Sequence, residues 1–222
     1  MRSIILLATI TLTAACAVED DTQDVGAFAD TGEASLVDEV PDAETSEQGT
    51  LEIPEVKDVP GPDESCHDAI FDWPAEWAQF EAEVLALSNE ARANGADCGV
   101  YGMYDPAPPL SYDPLLTCSA RYHAIWISEN DFSHDSPGGD LGDAMDERVS
   151  SAGYEWRMVG ENIAAGQTTP KEVVQAWLDS DGHCANLMEP GFTELGVAYM
   201  FNPSDLYGHY WAQNFGTPFS AN

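Results

Sequence analysis

Gly160-Glu161-Asn162-Ile163-Ala164-Ala165-Gly166 is the stretch on which the fold reading turns. Met158 to Ala164 reads as a strand. Beyond it, Leu195, Val197, Tyr199 and Phe201 alternate with smaller or more exposed residues, the period of a strand with one buried face. Asn202-Pro203-Ser204-Asp205 is a turn, and Tyr207 to Phe215 is the return strand of an antiparallel hairpin. A small antiparallel sheet with helices before and between its strands is an α+β domain. The opening stretch also carries chemistry. Trp177-Leu178-Asp179-Ser180-Asp181-Gly182-His183 follows it and Asp131-Phe132-Ser133-His134 precedes it. Two histidines and a glutamate near short glycine-bracketed turns can hold a divalent metal or move a proton.

Pro74 opens a first helix whose apolar stripe, Trp77, Phe80, Val84, Leu87 and Ala91, keeps helical spacing up to Gly95. Asp113-Pro114 supplies the N-cap and first position of a second helix, with Leu115, Cys118, Tyr122 and Ile125 facing inward, that runs to about Asn130. A third helix is expected over Asp140 to Ala152. Thr169-Pro170-Lys171-Glu172 is a capping box that opens a fourth, ending before Gly182.

Residues 1–16 read as an export signal: Arg2, an apolar run from Ile4 to Ala15, then Cys16. The run is shorter than the ~20 residues a bilayer span needs. Residues 17–65 hold 16 acidic residues and one basic residue, with Phe28 their only aromatic, the composition of a disordered linker. Residues 66–222 form one domain, with 24 acidic residues against five basic ones. That balance argues against nucleic acid and anionic membrane surfaces as partners. With Cys16 set aside, Cys66, Cys98, Cys118 and Cys184 are an even number, and in an oxidising compartment they form two disulfides. Sequence does not choose among three pairings. The arrangement expected is Cys98–Cys118, clipping the loop between the first two helices, with Cys66–Cys184 by default.

Leu12-Thr13-Ala14-Ala15-Cys16 resembles a bacterial lipobox, in which the cysteine is lipidated, although Thr13 stands where an aliphatic residue is usual. An ordinary signal peptide cut near Ala15 is the alternative. The lipoprotein is favoured, with the membrane contacted only through the N-terminal lipid anchor.

The placed segments resemble the CAP superfamily of cysteine-rich secretory, antigen 5 and pathogenesis-related class 1 proteins, in its bacterial secreted branch of SCP-domain proteins. The resemblance rests on Leu87-Ser88-Asn89-Glu90-Ala91-Arg92, Pro109-Leu110-Ser111-Tyr112-Asp113-Pro114-Leu115-Leu116, Phe132-Ser133-His134 and Gly160-Glu161-Asn162-Ile163-Ala164. It continues through Val173-Val174-Gln175-Ala176-Trp177-Leu178, Gly182-His183-Cys184-Ala185-Asn186-Leu187-Met188, Phe192-Thr193-Glu194-Leu195-Gly196-Val197 and Tyr210-Trp211-Ala212-Gln213-Asn214-Phe215-Gly216. It implies an α-β-α sandwich and a cleft of two histidines and two acids. By position His134 and His183 are the histidines and Glu161 the first acid; Ser180 stands where the second acid falls in eukaryotic members. Asp181 lies beside that position, and Trp156 is the ring best placed to face a ligand.

Each residue also has a structural reading: His134 as a turn cap, Glu161 as a buried acid satisfied by backbone N–H groups, His183 at a helix C-terminus. His123 matches no site position and reads as packing or surface. The resemblance favours a non-enzymatic extracellular module that takes a divalent metal, zinc by ligand type, and a lipid, peptide or cell-wall ligand. A metal-dependent hydrolase is the alternative; the substituted second acid argues against it. Calcium at Asp131, Asp135, Asp140 and Asp143 lacks EF-hand spacing.

Overall fold

The computed structural model describes residues 73–219. The leader, Cys16, the acidic linker and Cys66 lie outside the described residues. The described chain is α+β. In order it forms α1 (Ala75–Asn94), β1 (Ala96–Asp97), a 3-10 turn (Gly99–Tyr101), β2 (Met103–Tyr104), β3 (Ser111–Tyr112), α2 (Pro114–Glu129) and α3 (Met145–Ser151). Then come β4 (Trp156–Ala165), α4 (Pro170–Leu178), α5 (Asp181–Met188), β5 (Glu194–Phe201) and β6 (His209–Pro218).

The sheet order is β3-β5-β6-β4. The β4–β6 and β5–β6 pairs are antiparallel, as expected; the two-residue β3 adds a parallel edge that the sequence pattern does not show. Alternation along the strands divides the core into two layers. Leu195, Val197, Tyr199, Trp211 and Phe215 pack with Val84 of α1, Val173 and Trp177 of α4 and Leu187 of α5. On the opposite face, Ile163, Ala198, Tyr210 and Ala212 meet Ala120, Ala124 and Ile127 of α2. The sheet is therefore sandwiched between α2 and the α1–α4–α5 layer.

The helix signals are realised in the cap geometry. Asp113 Oδ1 accepts from the N–H groups of Leu115 and Leu116 at 2.9 and 2.8 Å. Glu172 Oε2 accepts from Thr169 N–H at 3.1 Å, while Thr169 Oγ1 accepts from Glu172 N–H at 3.3 Å. The inward face of α2 differs from the expected stripe: Leu116, Ala120, His123, Ala124 and Ile127 are buried, whereas Leu115, Tyr122 and Ile125 are only partly so. Close approach to the sheet decides this. A Cβ on Gly196 of β5 would stand 2.1 Å from both Leu116 C and Thr117 N, so no side chain separates the start of α2 from β5 at this point. The third helix is shorter than expected, because Gly142 at φ +116° breaks the start of the segment. The segment 181–188 is a helix of its own, held by buried Cys184, Leu187 and Met188.

The disulfide pairing expected from sequence is overturned. Cys98 is bonded to Cys184, with Cα atoms 5.3 Å apart. Cys118 is also disulfide-bonded, to neither of these. The reason is the layer arrangement: Cys118 lies in α2 with Leu141 and Ala152, whereas Cys98 and Cys184 are in the core of the opposite layer. The Cys98–Cys184 bridge fixes the short β1–β2 hairpin to α5.

Candidate functional site

β4 is an edge strand, and its alternation sends successive side chains of the Gly-Glu-Asn motif into different layers. Gly160 is glycine for a steric reason: a Cβ there would lie 2.8 Å from Cζ of Phe192. Glu161 faces the α2–α3 side. There its Oε1 takes the Nδ1 of His134 at 2.9 Å and its Oε2 takes Nη2 of Arg148 at 2.8 Å. His123 Nε2 stands 3.6 Å from the same Oε1. Asn162 faces the other way. Its Nδ2 donates to the His183 carbonyl at 3.1 Å and to Gln213 Oε1 at 3.2 Å. Asn186 of α5 answers by donating to Glu161 O and Asn162 Oδ1, both at 3.1 Å. Two adjacent residues of one strand thus support a histidine from each layer.

Glu161 has 2% side-chain exposure, His134 36%. Burial alone drives the Glu161 carboxyl upward. The charge contributed by His123, the hydrogen bond from His134 and the Arg148 guanidinium outweigh it and hold the group below the usual carboxylate range. Of these the permanent charge is Arg148, because burial pushes His123 down to about 4 and leaves it neutral near pH 7. An ionised carboxylate only accepts, so His134 Nδ1 carries a proton, and in the neutral ring this leaves the lone pair on Nε2. Burial, and then the nearness of His134, lowers His183, which also favours a neutral ring. The structural readings of Glu161 and His183 fall here: the glutamate's partners are side chains, and His183 sits in the first turn of α5.

The secondary residues separate. Ser180 is the N-cap of α5, three positions before His183, and makes no side-chain cap bond. Asp181 Oδ2 accepts from Val100 N–H at 3.0 Å, so its carboxylate serves the 3-10 turn beside the disulfide. Trp156 does not join the cluster. It lies five residues before Glu161 on an extended strand, about 16 Å away by strand rise. Its Nε1 donates to Ser150 Oγ at 3.0 Å, and it packs against a cluster of Leu116, Val149 and Tyr154.

Sequence reasoning missed two residues. His123, read as packing or surface, is fully buried against Glu161, with the Ser133 backbone as its other polar neighbour. Arg148 drew no attention, yet it is fully buried and also donates to Ser136 Oγ at 2.9 Å and Asp143 O at 3.0 Å. One signal was available. With five basic residues in 66–222, Arg148 stands next to the inward-facing Val149, and a buried cation has a carboxylate to meet. Arg121 meets Glu81 in the same way, at 2.5 Å.

As a metal site the cluster offers two imidazole nitrogens. Among the described residues no group of three or more His, Cys, Asp or Glu has metal-holding geometry. Glu161 fits the outer role, bonding the far nitrogen of a ligating histidine.

The model for CAP, the cysteine-rich secretory protein family, matches residues 85–215. The chain belongs to this family. The matched span runs from α1 through β6 and includes the whole His–Glu–Arg cluster. YkwD of Bacillus subtilis, an uncharacterized protein, is 35% identical over 143 residues, 64% of this chain and 49% of its own length. YlbC of the same organism, an uncharacterized membrane protein, is 28% identical over 145 residues, 64% of this chain and 36% of its own. The chain thus spans about half or less of the curated relatives it matches. The crystal structure of an extracellular SCP-domain protein from Bacillus anthracis aligns with a TM-score of 0.51 and 29% identity, covering 63% of this chain and 41% of that one.

Proposed function

We propose that this CAP domain is an exported, N-terminally lipid-anchored binding module. Its His134–Glu161–His183 cleft takes a divalent metal, zinc by donor type, together with a small lipid, peptide or cell-wall ligand. The observation that carries the reading is the 2.9 Å bond from His134 Nδ1 to Glu161, which fixes the ring and leaves Nε2 as a donor. His134 and His183 would hold the metal, and when bound it would offer open coordination positions to the ligand. Export is supported by the Arg2–Ala15 leader pattern and by the extracellular Bacillus anthracis relative. Anchoring is supported by the lipobox-like run ending at Cys16.

The hydrolase alternative is not favoured. A carboxylate that takes a proton from water must be free to do so, and Glu161 is held ionised between Arg148 and His134.

Zinc titration by calorimetry at neutral pH tests the reading. One site per chain is expected, lost in His134→Ala and His183→Ala, weakened in Glu161→Gln, and weakening as pH falls and protons compete for the rings. Zinc uptake indifferent to both histidine variants overturns the metal assignment.

A further inference from the structure

Two residues before His134 in sequence, and across the β5–β6 turn, the domain carries an apolar rim that its core does not use. Phe132 is 46% exposed, Leu206 91% and Tyr207 52%. The Phe132 and Tyr207 rings lie 6.5 Å apart, although 75 positions separate them in sequence. The rim is held in place from beneath. Asn202 Nδ2 donates to Ser128 O at 2.7 Å, tying the β5–β6 turn to the end of α2. Asp205 Oδ1 accepts from Tyr207 N–H at 3.0 Å and also from the Tyr210 hydroxyl.

The charged side chains that flank these rings in sequence are acidic. Asp131 and Asp135 are exposed on either side of Phe132, and Asp205 underlies Tyr207. The last turn of α2, which ends here, holds no basic residue, so the negative end of its dipole is uncompensated. Phe132 lies in the stretch between Arg121 and Arg148, and Leu206 and Tyr207 lie beyond Lys171; neither stretch contains Lys or Arg. Of the three bounding cations, Arg121 is paired with Glu81 and Arg148 with Glu161, and Lys171 is exposed in the first turn of α4.

We propose that the Phe132–Leu206–Tyr207 rim is a docking surface for a cationic amphipathic peptide segment. Its apolar side chains lie on the two rings and Leu206. Its Lys and Arg groups pair with Asp131, Asp135 and Asp205 and approach the ring faces, where a cation is attracted by the aromatic quadrupole. The acidic surface steers such a segment in and repels anionic lipid. This goes beyond the metal reading and needs no metal.

The test is fluorescence anisotropy of a labelled peptide of alternating Lys and Leu, titrated with the full chain at low and at physiological ionic strength. Binding is expected, weaker at the higher salt. Phe132→Ser/Tyr207→Ser and Leu206→Lys should each weaken it by about tenfold or more. Asp131→Asn/Asp135→Asn should weaken it and flatten its salt dependence, while Glu83→Gln on the exposed face of α1 should not. All the altered side chains are exposed or partly so, and unchanged thermal midpoints will show that the variants fold. Capture should persist with zinc chelated and in His183→Ala, so failure of the metal reading leaves this result standing. Peptide binding that ignores the rim variants would assign it to the acidic residues 17–65 and overturn the proposal. So would capture of neutral phosphatidylcholine vesicles with none of the peptide.

Discussion

Arg148 Nη2 lies 2.8 Å from Glu161 Oε2, and the two side chains have 0% and 2% exposure. A charge so far from water is tolerable only while its partner is present.

Removing the cation should therefore be costly. Arg148→Met leaves the buried Glu161 carboxylate with its His134 hydrogen bond but without its permanent countercharge, and is expected to lower stability by about 3–5 kcal/mol. Denaturant unfolding of the variant measures it. A loss under about 1 kcal/mol would mean that Glu161 is solvated or neutral, contrary to the geometry.

The Cys98–Cys184 bridge closes a long loop. The Cys98→Ser/Cys184→Ser variant should lose roughly 2–4 kcal/mol. A non-reduced digest should yield a peptide pair joined through these two residues. A pair joined through Cys98 and Cys118 would return the matter to the pairing expected from sequence.

Acid should weaken the fold in part through His123. Its folded value is about 4, against 6.5 for the free ring. The unfolded chain therefore takes the proton first. The contribution is whole above pH 6.5 and is lost as pH falls toward 4, roughly 3 kcal/mol in all. Glu161, lowered as well, loses its part below its unfolded value of 4.5. Glu81 has the opposite sign. Mainly through burial it is raised to about 7, so its contribution is present below 4.5 and lost as pH rises toward 7. Comparing wild type with His123→Gln isolates the histidine. The difference in stability between pH 7 and pH 5 should shrink in the variant, and parallel curves would refute the assignment.

Gly196 admits no side chain, because main chain rather than a flexible side-chain tip blocks the space at 2.1 Å. Gly196→Ala should cost at least the ~1–3 kcal/mol of ordinary overpacking. A thermal midpoint within a degree or so of wild type would show that α2 can lift off the sheet without penalty.

Local chemistry made much of the fold legible. The α1 stripe, the Asp113-Pro114 start, the Thr169–Glu172 box and the period-two hairpin are each satisfied by neighbours a few residues away. What escaped depends on distant approach. Helix α5 contains Gly182 and draws its stability from Cys184, Leu187 and Met188 entering the core. The Leu116–Ile127 face of α2 was selected by the sheet, since Leu115 and Tyr122 are equally apolar. At the site, Glu161, His134 and His183 could be named because their family motifs are local. Arg148 and His123 belong to no such motif, and their role takes shape only once α3 and α2 fold down on Glu161.

The edge position of β4 has a consequence for assembly. Outward carbonyls of an edge strand normally invite another chain to extend the sheet. Here Asn186 Nδ2 donates to Glu161 O at 3.1 Å and Trp177 Nε1 to Ile163 O at 3.2 Å. Side chains of α5 and α4 occupy the places that an incoming strand's N–H groups would take. Sheet extension across Glu161 and Ile163 is thereby blocked, both to a binding partner and to a second copy. A molecule that meets the strand at these two residues does so through side chains, by chemistry and shape rather than a main-chain ladder.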